Sequence, residues 1–221
     1  MSSPSDPAPA RGLLSRVPVV PVVVLDDLAH AVPVARALVA GGLPVIELTL
    51  RTPVALDAIR AIADEVPEIL VGAGTVVAPG QAKEAADAGA QFLVSPGTTP
   101  ALLAAMAGTG LPFLPGTATV SEVLAVLEAG FTEMKFFPAE ASGGAPFLKS
   151  IASPVPVARF CPTGGIAAAT ASSYLALPNV GCVGGSWLTP ADALSAGDWA
   201  RVERLAAEAA GLRGDVIRTE P

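Results

Sequence analysis

Residues 17–40 read VPVVPVVVLDDLAHAVPVARALVA, and the fold turns on the residues after the first apolar run. The valine-rich stretch 17–25 reads as a strand. Asp26-Asp27 comes next and opens a helix over 30–40, which Gly41-Gly42 closes where a left-handed residue is wanted. An open doubly wound sheet usually carries a glycine-rich fingerprint after its first strand. Here two aspartates stand in its place, so a different parallel architecture is favoured.

The same strand-then-helix unit recurs along the chain. Apolar runs lie at 17–25, 45–50, 69–74, 92–96, 112–115, 133–138, 157–161 and 181–185, with Ala-rich helical segments between them. Thr52-Pro53 opens the second helix, with proline in the first turn. Thr189-Pro190-Ala191-Asp192 opens the last in the manner of a capping box. Gly89 and Gly130 close helices as Gly41-Gly42 does. Strands alternating with helices pair in parallel through right-handed crossovers. Eight such repeats predict an α/β fold, a single-domain (β/α)8 TIM barrel with short loops. No linker divides the chain. Residues 1–16 are expected to form a tail and a short helical segment, and residues 17–221 the barrel.

Composition narrows the function. Of 221 residues, 52% are hydrophobic and only 15% charged, an apolar surplus that an oligomer interface would cover. The net charge of −7 and the lack of a basic run argue against nucleic acid. No uninterrupted apolar stretch approaches the roughly 18–20 residues of a membrane span. Residues 1–10 lack the basic start and apolar middle of a signal peptide. Cys161 and Cys182 are too few for a disulfide framework and lack metal-site spacing, so they read as buried thiols of a reducing cytoplasm. His30 is the sole histidine. A histidine triad, a histidine-ligated zinc site and a histidine acid–base pair are thereby excluded. Proton transfer falls to a carboxylate, a lysine, a tyrosine or water.

Lys135 is one of only three lysines and lies in EMKFFP at 133–138. Burying an ammonium without a partner is costly. A neutral amine among apolar groups is suited to Schiff-base chemistry. Alternatively, the side chain snorkels to water, or pairs with Glu133. The second strand, VIELTLR at 45–51, alternates strictly, so Glu47, Thr49 and Arg51 share one face. In a closed barrel that polar face looks into the lumen. The same counting puts Glu133, Lys135 and Phe137 on one face and Met134 and Phe136 on the other. An acid, a cation and an amine thus converge. Further strand ends read GAGT at 72–75, SPGT at 95–98 and PGT at 115–117, where glycine admits a ligand close to backbone, although turns also need glycine. TGG at 163–165 and GGS at 184–186 end the seventh and eighth strands, where phosphate-binding barrels hold their phosphate.

These residues carry a resemblance. VIELTLRT at 45–52, VGAGT at 71–75, SPG at 95–97, MKFFPAE at 134–140, RFCPTGGI at 159–166 and GGSW at 184–187 are similar to motifs of the class I aldolases that cleave 2-keto-3-deoxy-6-phosphogluconate (KDPG). Bifunctional members of that family also act on 4-hydroxy-2-oxoglutarate (KHG). The resemblance spans about 17–210. It implies cleavage of KDPG to pyruvate and glyceraldehyde 3-phosphate, or of KHG to pyruvate and glyoxylate. It implies Lys135 as the Schiff-base residue and Glu47 as the general acid/base. Arg51 and Thr75 would bind the substrate carboxylate, with Pro96, Phe137 and Thr163 shaping the pocket. Gly164, Gly165, Gly185 and Ser186 would bind the phosphate. It further implies a homotrimer that needs no metal or cofactor.

Rival readings leave distinct marks. A sugar-phosphate epimerase or isomerase would share the phosphate loops but has no use for a buried amine. A non-catalytic phosphate-binding barrel would not need Lys135 or Glu47, and both are present. An aldolase for the galacto-configured phospho sugar acid would differ only in substrate. Lys135→Ala is expected to stay folded and lose cleavage, since a lumen lysine adds little packing.

Overall fold

The computed structural model of the chain describes residues 13–212. Residues 1–12 of the expected tail and 213–221 of the expected barrel domain lie outside them. The elements run in the order α1 (Leu13–Arg16), β1 (Val19–Val23), a 3-10 turn (Leu28–His30), α2 (Ala31–Ala40), β2 (Val45–Thr49), α3 (Ala55–Glu65), β3 (Leu70–Gly74), α4 (Pro79–Asp87), β4 (Phe92–Val94) and α5 (Pro100–Gly108). They continue with β5 (Phe113–Leu114), β6 (Gly116–Thr117), α6 (Val120–Glu128), β7 (Glu133–Phe136), α7 (Gly144–Ile151), β8 (Arg159–Pro162), α8 (Ala168–Leu175), β9 (Val183–Gly185), α9 (Ala191–Ala196) and α10 (Trp199–Ala210).

Every strand pairing is parallel. The result is an α/β fold built on a curled parallel sheet. One hydrogen-bonded sheet has the order β5-β4-β3-β2-β1-β9, and a second has β6-β7-β8. The eight runs expected from sequence therefore become nine strand segments among the described residues. The cause is Pro115, which has no N–H to give to a ladder and separates β5 from β6. β5 pairs with β4 and β6 pairs with β7, so the two halves face opposite neighbours. Side chains serve the interrupted backbone: Gly116 N–H donates to Ser95 Oγ, and Thr98 Oγ1 donates to Gly116 O. β8 and β9 share no ladder; isolated bridges join Phe160 of β8 to Val180 and Thr163 to Gly184 of β9.

The strands are buried on both faces. β1 and β2 have no exposed residue. The outer face packs under the helices through residues such as Leu38, Ile46, Leu48, Ile59, Ile62 and Leu93, all withdrawn from water. On β7, Phe136 stacks on Phe147 of α7, with ring centroids 5.0 Å apart. That contact fixes which way β7 faces, because its neighbour Lys135 must then point inward.

Helix starts are placed differently from two of the sequence expectations. Asp27 accepts from Ala29 N–H and caps the 3-10 turn leading into α2, as its position suggests. Thr52, however, donates to Leu25 O across the mouth of β1, and α3 begins only at Ala55. The last unit has no capping box at Thr189. Pro190 precedes α9, whose short run ends at Gly197 with φ +65, and Asp192 pairs instead with Arg201 of α10 at 2.6 Å. The glycine closures at Gly42, Gly89 and Gly130 have φ of +83, +95 and +91. Among the described residues no helix is long and apolar enough to cross a membrane.

Candidate active site

β2 and β7 come from separate sheets, yet their inward polar residues meet. Lys135 Nζ donates to Glu47 Oε1 at 3.0 Å. Lys135 is 4% exposed and Glu47 2% exposed. Lys135 is buried and does not snorkel, and Glu47 is a partner in direct contact. The cost of burying its charge is offset by an opposite charge in hydrogen-bond contact. Space for the carboxylate comes from β3. A Cβ on Gly74 would lie 2.2 Å from Glu47 Oε1. Thr49, on the same face as Glu47, spends its hydroxyl on Val23 O and so belongs to the scaffold.

Lys135 forms part of the wall of a cavity of about 410 Å³. Arg51, Thr75, Pro96, Phe137, Thr163, Gly164, Gly165 and Ser186 line it too. The cavity thus gathers most of the residues singled out from sequence. Two differ. Glu47 sits behind Lys135 and reaches the cavity through the amine, not as a lining residue. Gly185 also falls outside the lining, although Gly184 and Ser186 on either side belong to it. Its place is taken by packing, since a Cβ there would lie 2.3 Å from the Trp187 ring. Val22, Val24 and Ile166 complete the wall without having been singled out. Val22 lies on β1 and Val24 one residue past its end, two apart in one apolar run, so the counting applied to β2 would have found them had a polar residue drawn attention there.

Arg51 Nε donates to Thr75 Oγ1 at 3.2 Å. Thr75 holds φ +59, a conformation that crowds a β-branched residue and costs on the order of 1–3 kcal/mol. Backbone strain of this kind is sustained only where the surroundings fix it, and here it presents the hydroxyl to the arginine. Lys135 Nζ lies 5.4 Å from the centroid of the Phe137 ring, which forms an apolar wall beside the amine.

Across the cavity, Thr163 leads into two consecutive left-handed glycines. Gly164 has φ +102 and Gly165 +81. The carbonyls of this turn are drawn back toward the β7–α7 connection: Thr163 O accepts from Ala139 N–H at 2.8 Å and Gly164 O from Glu140 N–H at 3.1 Å. The Thr163 hydroxyl stands where a Cβ on Gly184 would be, 2.2 Å away, so Gly184 is the residue that lets it face the cavity. Among the described residues no three His, Cys, Asp or Glu side chains gather as a metal site would require.

A buried amine against a carboxylate, with a cation on one side and a glycine turn on the other, suits a keto acid bearing a distant anion. Comparison with known proteins is in keeping with that chemistry. Residues 11–205 match the model of the aldolase family described as KDPG and KHG aldolase. The KHG/KDPG aldolase of Escherichia coli K12 is 57% identical over 200 residues, covering 90% of this chain and 94% of that one. A KDPG aldolase from Legionella pneumophila, with pyruvate captured as a covalent carbinolamine, has a TM-score of 0.88 at 45% identity, covering 90% of this chain and 96% of that one. A KDPGal structure superposes with a TM-score of 0.83 at 25% identity, over 92% of this chain and 97% of that one.

Proposed function

Since the chain belongs to the KDPG and KHG aldolase family, we propose that Lys135 is the Schiff-base lysine of a class I aldolase whose acid/base is Glu47. The protein is a carbon–carbon lyase that cleaves KDPG to pyruvate and glyceraldehyde 3-phosphate. The observation that carries the residue assignment is the 3.0 Å contact between Lys135 Nζ and Glu47 Oε1 at the wall of the cavity.

Glu47 takes a proton from Lys135 across the 3.0 Å contact, and the free amine attacks the C2 ketone. Glu47 then gives that proton to the carbinolamine hydroxyl, which leaves as water and yields a protonated imine. Glu47, directly or through one water, then removes the C4 hydroxyl proton. The C3–C4 bond breaks, its electrons flow into the imine, and the aldehyde departs from a pyruvyl enamine. A proton returned to C3 and hydrolysis of the imine release pyruvate and free the amine. Arg51, with Nε engaged by Thr75, offers its paired terminal nitrogens to the substrate carboxylate in fork geometry. Thr75 adds its hydroxyl there. Pro96, Phe137 and Thr163 shape the middle of the pocket and exclude water from the amine. Gly164, Gly165 and Ser186 receive the phosphate, with Gly185 fixing their spacing. The carbinolamine in the Legionella relative supports the covalent route. KHG cleavage to pyruvate and glyoxylate is a second activity, supported by the Escherichia coli relative's name. The 25% identity to the KDPGal structure makes the galacto acid the weaker substrate reading.

Three wider readings accompany this one. Residues 17–212 form one domain, a closed eight-stranded barrel in which β5 and β6 are a single fifth strand; the flanking of Pro115 and the isolated bridges beside β8 and β9 support it. The chain assembles as a homotrimer, supported by exposed Val77, Val120 and Leu124. It works in the cytoplasm, a reading supported by the burial of both cysteines, Cys161 and Cys182.

Borohydride trapping tests the assignment. Pyruvate plus borohydride should add a reduced pyruvyl group to the peptide containing Lys135, and the unlabelled enzyme should release pyruvate from KDPG in a coupled assay. Labelling at Lys83 or Lys149, or none in active protein, refutes the role of Lys135.

A further inference from the structure

We propose that Glu140, held in place by Tyr174, is a positioning residue for the glycine turn at Gly164 and Gly165. The proposal rests on reading that turn as the seat of the substrate phosphate.

Two consecutive left-handed glycines have no side chains to hold their shape, and glycine is the residue with most backbone freedom to lose. Something adjacent must supply the constraint. Glu140 touches the turn in two ways. Its N–H donates to Gly164 O at 3.1 Å. Its Cβ and Cγ lie 2.8 and 2.7 Å from where a Cβ on Gly165 would be, so the aliphatic stem forms the floor under Gly165. The far end of the side chain is then fixed. Tyr174 donates its hydroxyl to Glu140 Oε1 at 2.7 Å. Tyr174 belongs to α8, the helix that the glycine turn leads into, and is 1% exposed. The brace therefore spans the β7–α7 connection, the turn and the helix after it.

The charge of Glu140 makes the direction of its carboxylate matter. Glu140 is itself exposed. A mobile carboxylate next to an anion-binding turn would repel the anion. The tyrosine holds Oε1 in a fixed position, and Oε2 lies 3.7 Å from where a Cβ on Gly144 would be, at the first residue of α7. The partial positive charge of a helix start suits a carboxylate there. Burial, and secondly the Glu140 carboxylate, push the Tyr174 phenol well above its ordinary range, so it remains a donor across the working pH range.

The test is the split between KM and kcat in four variants. Tyr174→Phe should raise KM for KDPG about tenfold, equivalent to about 1.4 kcal/mol of binding, with kcat within about twofold. Borohydride trapping of pyruvate, which does not extend to the turn, should proceed at the native rate. Glu140→Ala should raise KM at least as much. Glu140→Gln keeps the stem and an acceptor for the tyrosine while removing the charge, so it should hold KM near the native value. Ser186→Ala reports on the anion site independently and should raise KM. If Ser186→Ala raises KM and Tyr174→Phe does not, the positioning role is overturned and the anion site stands. If neither raises KM while trapping continues, the anion-site reading falls and the proposal with it. Equal losses of kcat and trapping in Tyr174→Phe and Glu140→Gln would mark a scaffold residue, which also overturns it.

Discussion

Lys135 and Glu47 are 88 residues apart in sequence and 3.0 Å apart in space, both shut off from water. Removing one member of such a pair leaves an uncompensated buried charge, a loss of about 3–5 kcal/mol. The expectation that Lys135→Ala stays folded thereby acquires a cost in stability: packing is little affected, but Glu47 is stranded. Lys135→Met, which retains most of the volume, should unfold about 10 °C lower, given roughly 2–4 °C per kcal/mol for a chain of this size. Glu47→Gln with Lys135→Met should regain most of that loss, and neither protein should turn over KDPG. Thermal unfolding of the single and double variants decides the matter. A single variant as stable as native would mean that the pair contributes no net stability.

The glycines of β3 show how one strand serves its neighbours. A Cβ on Gly72 would strike the Phe92 ring of β4 at 2.3 Å, whereas one on Gly74 would strike the Glu47 carboxylate of β2 at 2.2 Å. The same substitution should thus have two different outcomes. Gly72→Ala overpacks the interior and should cost about 1–3 kcal/mol with kcat largely kept. Gly74→Ala displaces the Glu47 carboxylate and, on the proposed acid/base role, should lower kcat about a hundredfold, since misplacement of about 1 Å is worth that much. Unfolding curves and a pyruvate-release assay on both variants separate the effects, and equal kcat values would remove Glu47 from the mechanism. Much of this was legible in the sequence. The alternation of VIELTLR put Glu47 and Arg51 on one face, and EMKFFP did the same for Lys135 and Phe137. The break at Pro115 was not, because an apolar run gives no sign of which neighbour each half will pair with. Nor was Thr75's positive φ, since a β-branched residue is the last to be expected there. Glu140 lay inside a motif quoted for its neighbours, but its task depends on Tyr174, 34 residues on, and no local spacing reports that contact.

At the scale of the whole molecule, the apolar surplus read from composition has a visible counterpart in Val120 and Leu124, one helical turn apart on α6 and both exposed. Light scattering should give a mass three times 22.0 kDa; a mass of one or two copies refutes the trimer. The strand order carries a different consequence. β1 lies between β2 and β9, so one of its two partners is among the last strands in the chain. While the ribosome is still translating, the edge of β1 that will meet Val183–Gly185 has no partner, and a bare strand edge is a template for joining other chains. Contacts this far apart in sequence also form slowly. The nascent chain therefore spends most of its synthesis with a sticky first strand, and its yield in a crowded cell should depend on how quickly translation ends.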